Sequence, residues 1–312
     1  HITDMPTYMV KDYKCIVGTT LSDSADSQLS IYNYLDGINL SQDEWIKFSH
    51  KAEELMVDLI VMCNDQNSFI FSKKLSVKKY VVSAASFLEK DLIRNIVSYN
   101  KDIIIRTGGA TLEEVDEILE FIYKIDENSK ICLLAGIQLY PTPINELHLS
   151  SLAELLNRYK RTNFSIGLAD HIDGDHKHAK YLPPIAIALG ATVIEKHITT
   201  DRSKKLEDYE AALSIDQFKE FIEYIRDVEE ALGSPSLKYM DDNESYKKYR
   251  IVGRKKIVAA KHFVTNDVID IDSISFKRSD YGSQLEDLNK LIGKKVIRSI
   301  KIDEGISLDD VL

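Results

Sequence analysis

Cysteine is scarce in this chain of 312 residues: Cys15, Cys63 and Cys132 are odd in number and far apart. Two of them sit in apolar, strand-like runs. That argues against a disulfide framework and for a reducing cytoplasm. No block of lysine and arginine occurs and the formal net charge is −10, which argues against nucleic acid as a partner. No apolar run approaches the roughly 18–20 residues of a membrane span, so no membrane partner is expected. No signal peptide opens the chain. The opening, HITDMPTYMV, also lacks an initiator methionine and a first strand.

What is present is alternation. With 44% hydrophobic residues, the chain can build a large core and more than one domain. Residues 1–40 are poorly periodic and read as a long surface excursion. From there, apolar runs at Leu59–Cys63, Tyr80–Ser83, Ile103–Ile105, Ile131–Ala135, Phe164–Leu168 and Thr192–Ile194 read as strands. Between them lie helix patterns at 41–57, 69–74, 88–98, 111–124, 145–159 and 179–189, and a last long helix comes after Ser214. Ser41 with Glu44, Thr111 with Glu114, and Ser214 with Gln217 are capping-box pairs. This order predicts a parallel sheet with helices outside. A closed (β/α)8 TIM barrel needs eight strands. Six are in hand, so the barrel reading places two N-terminal strands outside this chain, and the other reading is an open doubly wound sheet.

The polar stretch 236–253 reads as a linker between a barrel domain, 1–235, and a small mostly-β domain, 254–312. Within the latter, FVTNDVIDIDSI (263–274) and IKIDEGISLDDV (300–311) share a turn, at Asn266-Asp267 and Glu304-Gly305, and then alternating apolar residues. They read as an internal duplication.

The chemistry gathers between Phe164 and Arg202. Asp170-His171 comes after one strand and Glu195-Lys196-His197 ends the next. In parallel α/β folds the carboxyl ends of neighbouring strands face one cleft. His171 and His197 are therefore candidate ligands of one divalent ion, the alternative being two histidines bonded to carboxylates at the rim. His176 and His178 belong to a solvated loop. Asp208 falls on the same side, as a substrate or proton-transfer group or as a plain loop aspartate. Thr107-Gly108-Gly109 offers backbone N–H groups suited to an anion, and Arg106 beside it either binds an anion or pairs with an acid. Tyr140-Pro141-Thr142-Pro143 is a rigid loop that walls a pocket or simply turns.

GLADH, ALGATVIEKHITTDR, the YPTP loop, RKKIVAAKHF and FKRSDYG together resemble the sialic acid synthase family over nearly the whole chain. These are phosphoenolpyruvate-dependent N-acetylneuraminate synthases and their relatives for other nine-carbon sugar acids and spore-coat polysaccharides. The resemblance implies a (β/α)8 barrel and a C-terminal domain similar to type III antifreeze proteins. It also implies a divalent metal, Mn2+ or Mg2+, on His171 and His197. Asp208 then matches a substrate-side aspartate, although GPDH reads LEDY here. Tyr140 matches a pocket tyrosine, and Gln138 stands where asparagine is usual. Arg278 matches an arginine that the antifreeze-like domain inserts into the partner's site, which implies a domain-swapped homodimer. The substrates implied are phosphoenolpyruvate and an amino sugar.

The departures are specific. The KIxS motif, whose lysine and serine hold phosphate, reads VVSA, so Val81 and Ala84 occupy those places. STGM reads RTGG, with Arg106 for the serine and Thr107 kept. STPF reads roughly MCND, and the serine before the DH pair is Ala169. The first-strand EIGxNHxG motif and the second-strand lysine are absent, and His1-Ile2-Thr3 looks like the residues immediately after that second strand. Losing a phosphate-site lysine removes a charge-assisted contact of about 1.5–3 kcal/mol, which Arg106 is placed to replace. Two rival readings remain: a Schiff-base aldolase using Lys196, and a non-catalytic relative that binds a sugar or a partner enzyme.

Overall fold

Three helices begin where the sequence spells a capping box. In a computed structural model of the chain, describing residues 1–13, 30–99, 102–159 and 161–312, helix Gln42–Glu54 starts at Ser41, helix Leu112–Ile125 at Thr111 and helix Ile215–Leu232 at Ser214. In each, the cap hydroxyl accepts from the N3 backbone and the N3 side chain returns to the cap N–H. Cys15 lies outside the described residues.

The helices flank a six-stranded sheet: β1 (Leu59–Met62), β2 (Val77–Val82), β3 (Asp102–Arg106), β4 (Ile131–Ala135), β5 (Phe164–Asp170) and β6 (Ala191–Lys196). Spatial order equals chain order and every pair is parallel. The sheet is thus a singly wound α/β ribbon, not a doubly wound one, and it curls. Its two faces carry different cores because successive side chains of a strand point opposite ways. Tyr80, Val82, Ile103, Ile105, Ile131, Leu133, Ile166 and Leu168 pack outward against the helices. Met62, Val81, Ile104, Cys132, Leu134 and Ala169, with Val193, form an inner apolar layer.

Both ends of the ribbon gain short parallel additions. Ile2 donates to Met62 O at 2.8 Å, and Asn64 donates to Ile2 O at 3.1 Å. Beyond β6, β7 (Ile198–Thr199) pairs with β8 (Leu213–Ser214).

Two expectations shift. The helix expected over 145–159 is a 3-10 turn, Ile144–Glu146, and then helix Ser151–Arg158. His148 between them takes φ 44°, which a continuous helix does not allow. The surface excursion before Ser41 contains helices Met5–Tyr8 and Ile31–Ile38, the latter capped by Ser30. Among the described residues, no helix is long and apolar enough to cross a membrane.

The chain divides into two compact units, His1–Gly233 and Ser234–Leu312. The polar stretch expected as a linker is helical, at Tyr239–Asp242 and Glu244–Val252. Asn243 caps the second helix through its side-chain oxygen. The rest of the second unit packs Ile257, Phe263, Ile269, Ile274, Leu291, Val296, Ile300 and Ile306 around the antiparallel pair β9 (Lys256–Ala259) and β10 (Ile274–Lys277). The duplicated segments meet at an antiparallel bridge, Phe263 with Ile300. Asn266 and Asp303 take matching left-handed φ of 78° and 66°. The second turn is therefore Asp303-Glu304, one residue earlier than the sequence suggested. Each copy then ends in a capped 3-10 turn, Ile271–Ser273 and Leu308–Asp310.

Candidate active site and metal centre

The carboxyl ends of β3 to β6 carry nearly every candidate residue of the first unit. Asp170 and Lys196 are register partners on β5 and β6. Their side chains form an ion pair at 2.6 Å, both with no exposure, and Lys196 Nζ also donates to Ile172 O at 3.1 Å. His171 and His197 come directly after this pair. Their ring centroids lie 5.3 Å apart at 71°. The two imidazoles therefore share one mouth.

The protonation pattern suits ligands. His171 Nδ1 lies 2.8 Å from Ile137 O and donates to it, which leaves the lone pair on Nε2. That Nε2 is buried without a hydrogen-bond partner. Burial pushes His171 down to about 4 and His197 down to about 3, the latter helped by its neighbour His171. Both rings are neutral at physiological pH. Glu195 completes the set, with Oε1 3.8 Å from His171 Nε2. One ligand atom from each of His171, Glu195 and His197 lies within 4.8 Å of the others. Two neutral imidazoles, one carboxylate and an orphaned buried nitrogen fit a divalent ion.

Sequence reasoning gave Glu195 no role. Its place at the end of β6, two residues before His197, contained the signal.

Around this triad stand the other candidates. Tyr140 packs against both imidazoles, at centroid distances of 4.2 Å and 5.6 Å. Its hydroxyl donates to Gln138 Oε1 at 2.7 Å. Burial, then the Asp208 carboxyl, pushes the phenol up to about 12, so it stays protonated. Asp208 Oδ2 lies 3.6 Å from His197 Nδ1. Burial, then Glu207 and Glu210, pushes Asp208 up to about 7.

Asp208 has φ 56°, an uncommon conformation for a side-chain-bearing residue. Arg202 fixes the loop around it. Its Nη1 donates to Tyr209 O at 2.8 Å, to Glu210 O at 3.3 Å and to Ala212 O, while Nη2 reaches Asp173 and Asp175.

Arg106 ends β3 and is 5% exposed. Its guanidinium grips Glu195, with Nε 3.2 Å from Oε2, and reaches Gln138 Oε1 at 3.5 Å. Thr107 is half-buried, and its N–H donates to Leu134 O at 3.1 Å. Gly136 allows the β4 loop to cross the end of β5, since a Cβ there would fall 2.3 Å from Ala169 O. Val81 is buried in the inner apolar layer. Arg278 comes after β10 in the second unit and is exposed. Lys196, with no exposure and committed to Asp170, is not an open amine for a Schiff base.

The NeuB family profile matches residues 13–236. A pseudaminic acid synthase from Campylobacter jejuni is 30% identical over 241 residues, 77% of this chain and 66% of that protein. The chain thus spans just under two thirds of that relative's length. Among solved structures, an N-acetylneuraminic acid synthetase from Leptospira borgpetersenii matches with a TM-score of 0.63 at 19% identity, covering 75% of this chain and 78% of its own. A spore coat polysaccharide biosynthesis protein from Bacillus subtilis matches with a TM-score of 0.57 at 23% identity, covering 93% of this chain and 83% of its own. These two likenesses are likenesses of fold.

Proposed function

This chain belongs to the NeuB family, and from that premise we propose that it condenses phosphoenolpyruvate with an N-acyl-amino sugar to a nonulosonic acid for surface polysaccharide. The observation that carries the reading is the pair of neutral imidazoles, His171 buried and His197 partly buried, meeting Glu195 at the strand ends. A divalent ion, Mn2+ or Mg2+, held by His171, Glu195 and His197 would supply Lewis-acid polarisation of the sugar's aldehyde oxygen.

The chain's own groups do the rest. Tyr140, neutral at its hydroxyl, and Gln138 orient the open-chain sugar beside the imidazoles. Asp208 titrates near neutrality, so it can both hold and release a proton at the new hydroxyl. Carbon three of phosphoenolpyruvate attacks the aldehyde carbon and forms the new C–C bond. Water then adds at carbon two, and the bond from carbon two to the bridging oxygen breaks, phosphate leaving with that oxygen and the bonding pair while the water's two protons end on the new hydroxyl and on phosphate. Arg106 and Thr107 are the proposed phosphate-side residues, Arg106 standing in for the charge missing at Val81.

We further propose that two strands outside this chain close the ribbon into a (β/α)8 barrel of residues 1–235, with 236–253 connecting it to an antifreeze-like domain, 254–312. The duplicated, capped turns of the second unit support that fold. A domain-swapped homodimer would deliver Arg278 to the partner's sugar. The free, buried Cys63 and Cys132 suit a cytoplasmic setting.

The test is phosphate release from phosphoenolpyruvate with a panel of N-acetylhexosamines, using the full-length protein. Release that depends on one sugar, stops on chelation and returns with Mn2+ is expected. Sugar binding without any phosphate release would favour the non-catalytic reading.

A further inference from the structure

One oxygen in this centre is claimed twice. Glu195 Oε1 is the atom that faces His171 Nε2 at 3.8 Å, and it is also the atom that Arg106 Nη2 grips. Glu195 is the one acid of the ligand triad. We propose that Arg106 is a resident counter-cation that couples the two ligands of the site. It holds Glu195 while no ion is present, and turns to an anionic ligand when a divalent ion takes Glu195. This inference rests on the metal reading above and adds its regulation.

Charge balance carries the argument. The triad brings two neutral rings and one carboxylate, which the buried Arg106 guanidinium already offsets. Among the described residues Asp208, 3.6 Å from His197, is the one further acid against the rings, so a divalent ion together with Arg106 still exceeds the negative charge present. A divalent ion placed there would sit beside an arginine that is 5% exposed, in a setting where like charges are poorly screened. Excess positive charge penalises the ion until an anion arrives. A phosphate- and carboxylate-bearing ligand restores the balance and gives Arg106 a new partner.

Among the described residues at these strand ends, no other side-chain cation competes for the part. Lys196 is spent on Asp170. Val81, on the strand beside the one that Arg106 ends, is apolar. Arg106 can exchange partners because those it holds, Glu195, Gln138 and Tyr140, themselves stand at the mouth where the ligands would arrive. By thermodynamic reciprocity, the ion and the anion must each tighten the other by the same factor.

The experiment is titration calorimetry on the intact protein, with Mn2+ and phosphoenolpyruvate each titrated alone and in the presence of the other. Reciprocal tightening is expected, of about 5- to 150-fold, the usual range for coupled sites. In Arg106→Gln, Mn2+ alone should bind at least about tenfold tighter than in wild type, while the coupling shrinks to less than about twofold. Arg106→Lys, which keeps the charge, should retain weak Mn2+ binding. A melting curve confirms that each variant is folded, and the wild-type reciprocity needs no variant. If Mn2+ binds wild type and Arg106→Gln equally, or if the coupling survives unchanged in Arg106→Gln, the inference is overturned while the metal reading stands. If neither protein binds Mn2+ under any condition, the metal reading itself fails and the inference falls with it.

Discussion

Lys196 Nζ lies 2.6 Å from Asp170 Oδ2, and neither side chain has any exposure. The two residues are register partners, so the pair staples β5 to β6 one residue before each candidate ligand, His171 and His197. A buried ion pair is weak evidence of net stabilisation, because desolvation offsets the attraction, but removing one partner strands the other.

Lys196→Met should therefore destabilise the protein by about 3–5 kcal/mol, and Asp170→Asn should cost a large part of that. Urea unfolding monitored by circular dichroism measures both. Lys196→Met combined with Asp170→Leu should recover much of the stability, yet still bind Mn2+ worse than wild type, because the strand ends lose their staple. The same burial predicts that borohydride with pyruvate leaves Lys196 unmodified in the mass spectrum.

Replacing either imidazole should weaken Mn2+ by more than the roughly 10- to 100-fold typical of an outer-shell partner. His171→Ala and His197→Ala test this by calorimetry. Glu195→Gln separates ligand from bystander: it should weaken Mn2+ if its carboxylate ligates, whereas unchanged affinity would remove it from the set.

In chelated protein, the two imidazoles and Asp208 pull stability in opposite directions with pH. His171 and His197 titrate at about 4 and about 3 in the fold, against 6.5 unfolded. Between those values the unfolded chain binds more protons, so stability falls as pH falls from 6.5. Asp208 titrates at about 7 in the fold, against 3.8 unfolded, so its contribution is complete below 3.8 and is lost as pH rises through about 7. Two imidazoles outweigh one carboxyl. The urea midpoint should rise from pH 4 to 6.5 and then level off, and the double variant His171→Gln, His197→Gln should flatten or reverse that rise.

Arg202 offers a way to disturb Asp208 without touching it. Arg202→Ala removes a side-chain donor from three carbonyls, of which Tyr209 O and Glu210 O keep a backbone donor, and should speed hydrogen exchange across residues 205–212. Turnover should fall as the left-handed Asp208 loses its frame, whereas Mn2+ affinity should hold. Unchanged exchange there would show that the loop keeps its shape without the guanidinium.

Much of this was legible in the sequence because it is local. Three capping boxes and six apolar runs gave the helices and strands, and strand-end placement gave His171 and His197. What was missed depends on distance along the chain. That Arg106 pairs with an acid was one of its two expected roles, but not which acid: Glu195 is 89 residues away on β6, a strand that is not a neighbour of β3 in the sheet, so only the curl brings them together. The broken helix at His148 reflects a φ of 44° that no propensity anticipates. Glu195 was within reach, since it lies at the end of β6 two residues before His197. The Asp208 loop takes its shape from Arg202, and no spacing rule encodes a guanidinium bound to backbone carbonyls.

The alternating faces of the ribbon have a consequence for how such a chain diversifies. Val81 lies in the inner layer, while Tyr80 and Val82 on either side of it lie in the outer core. Adjacent codons thus answer to different selective pressures, one to the packing of the inner layer and the next to the integrity of the scaffold. A lineage can change Ala169 or Val193 in the inner layer while leaving the load on its helices untouched.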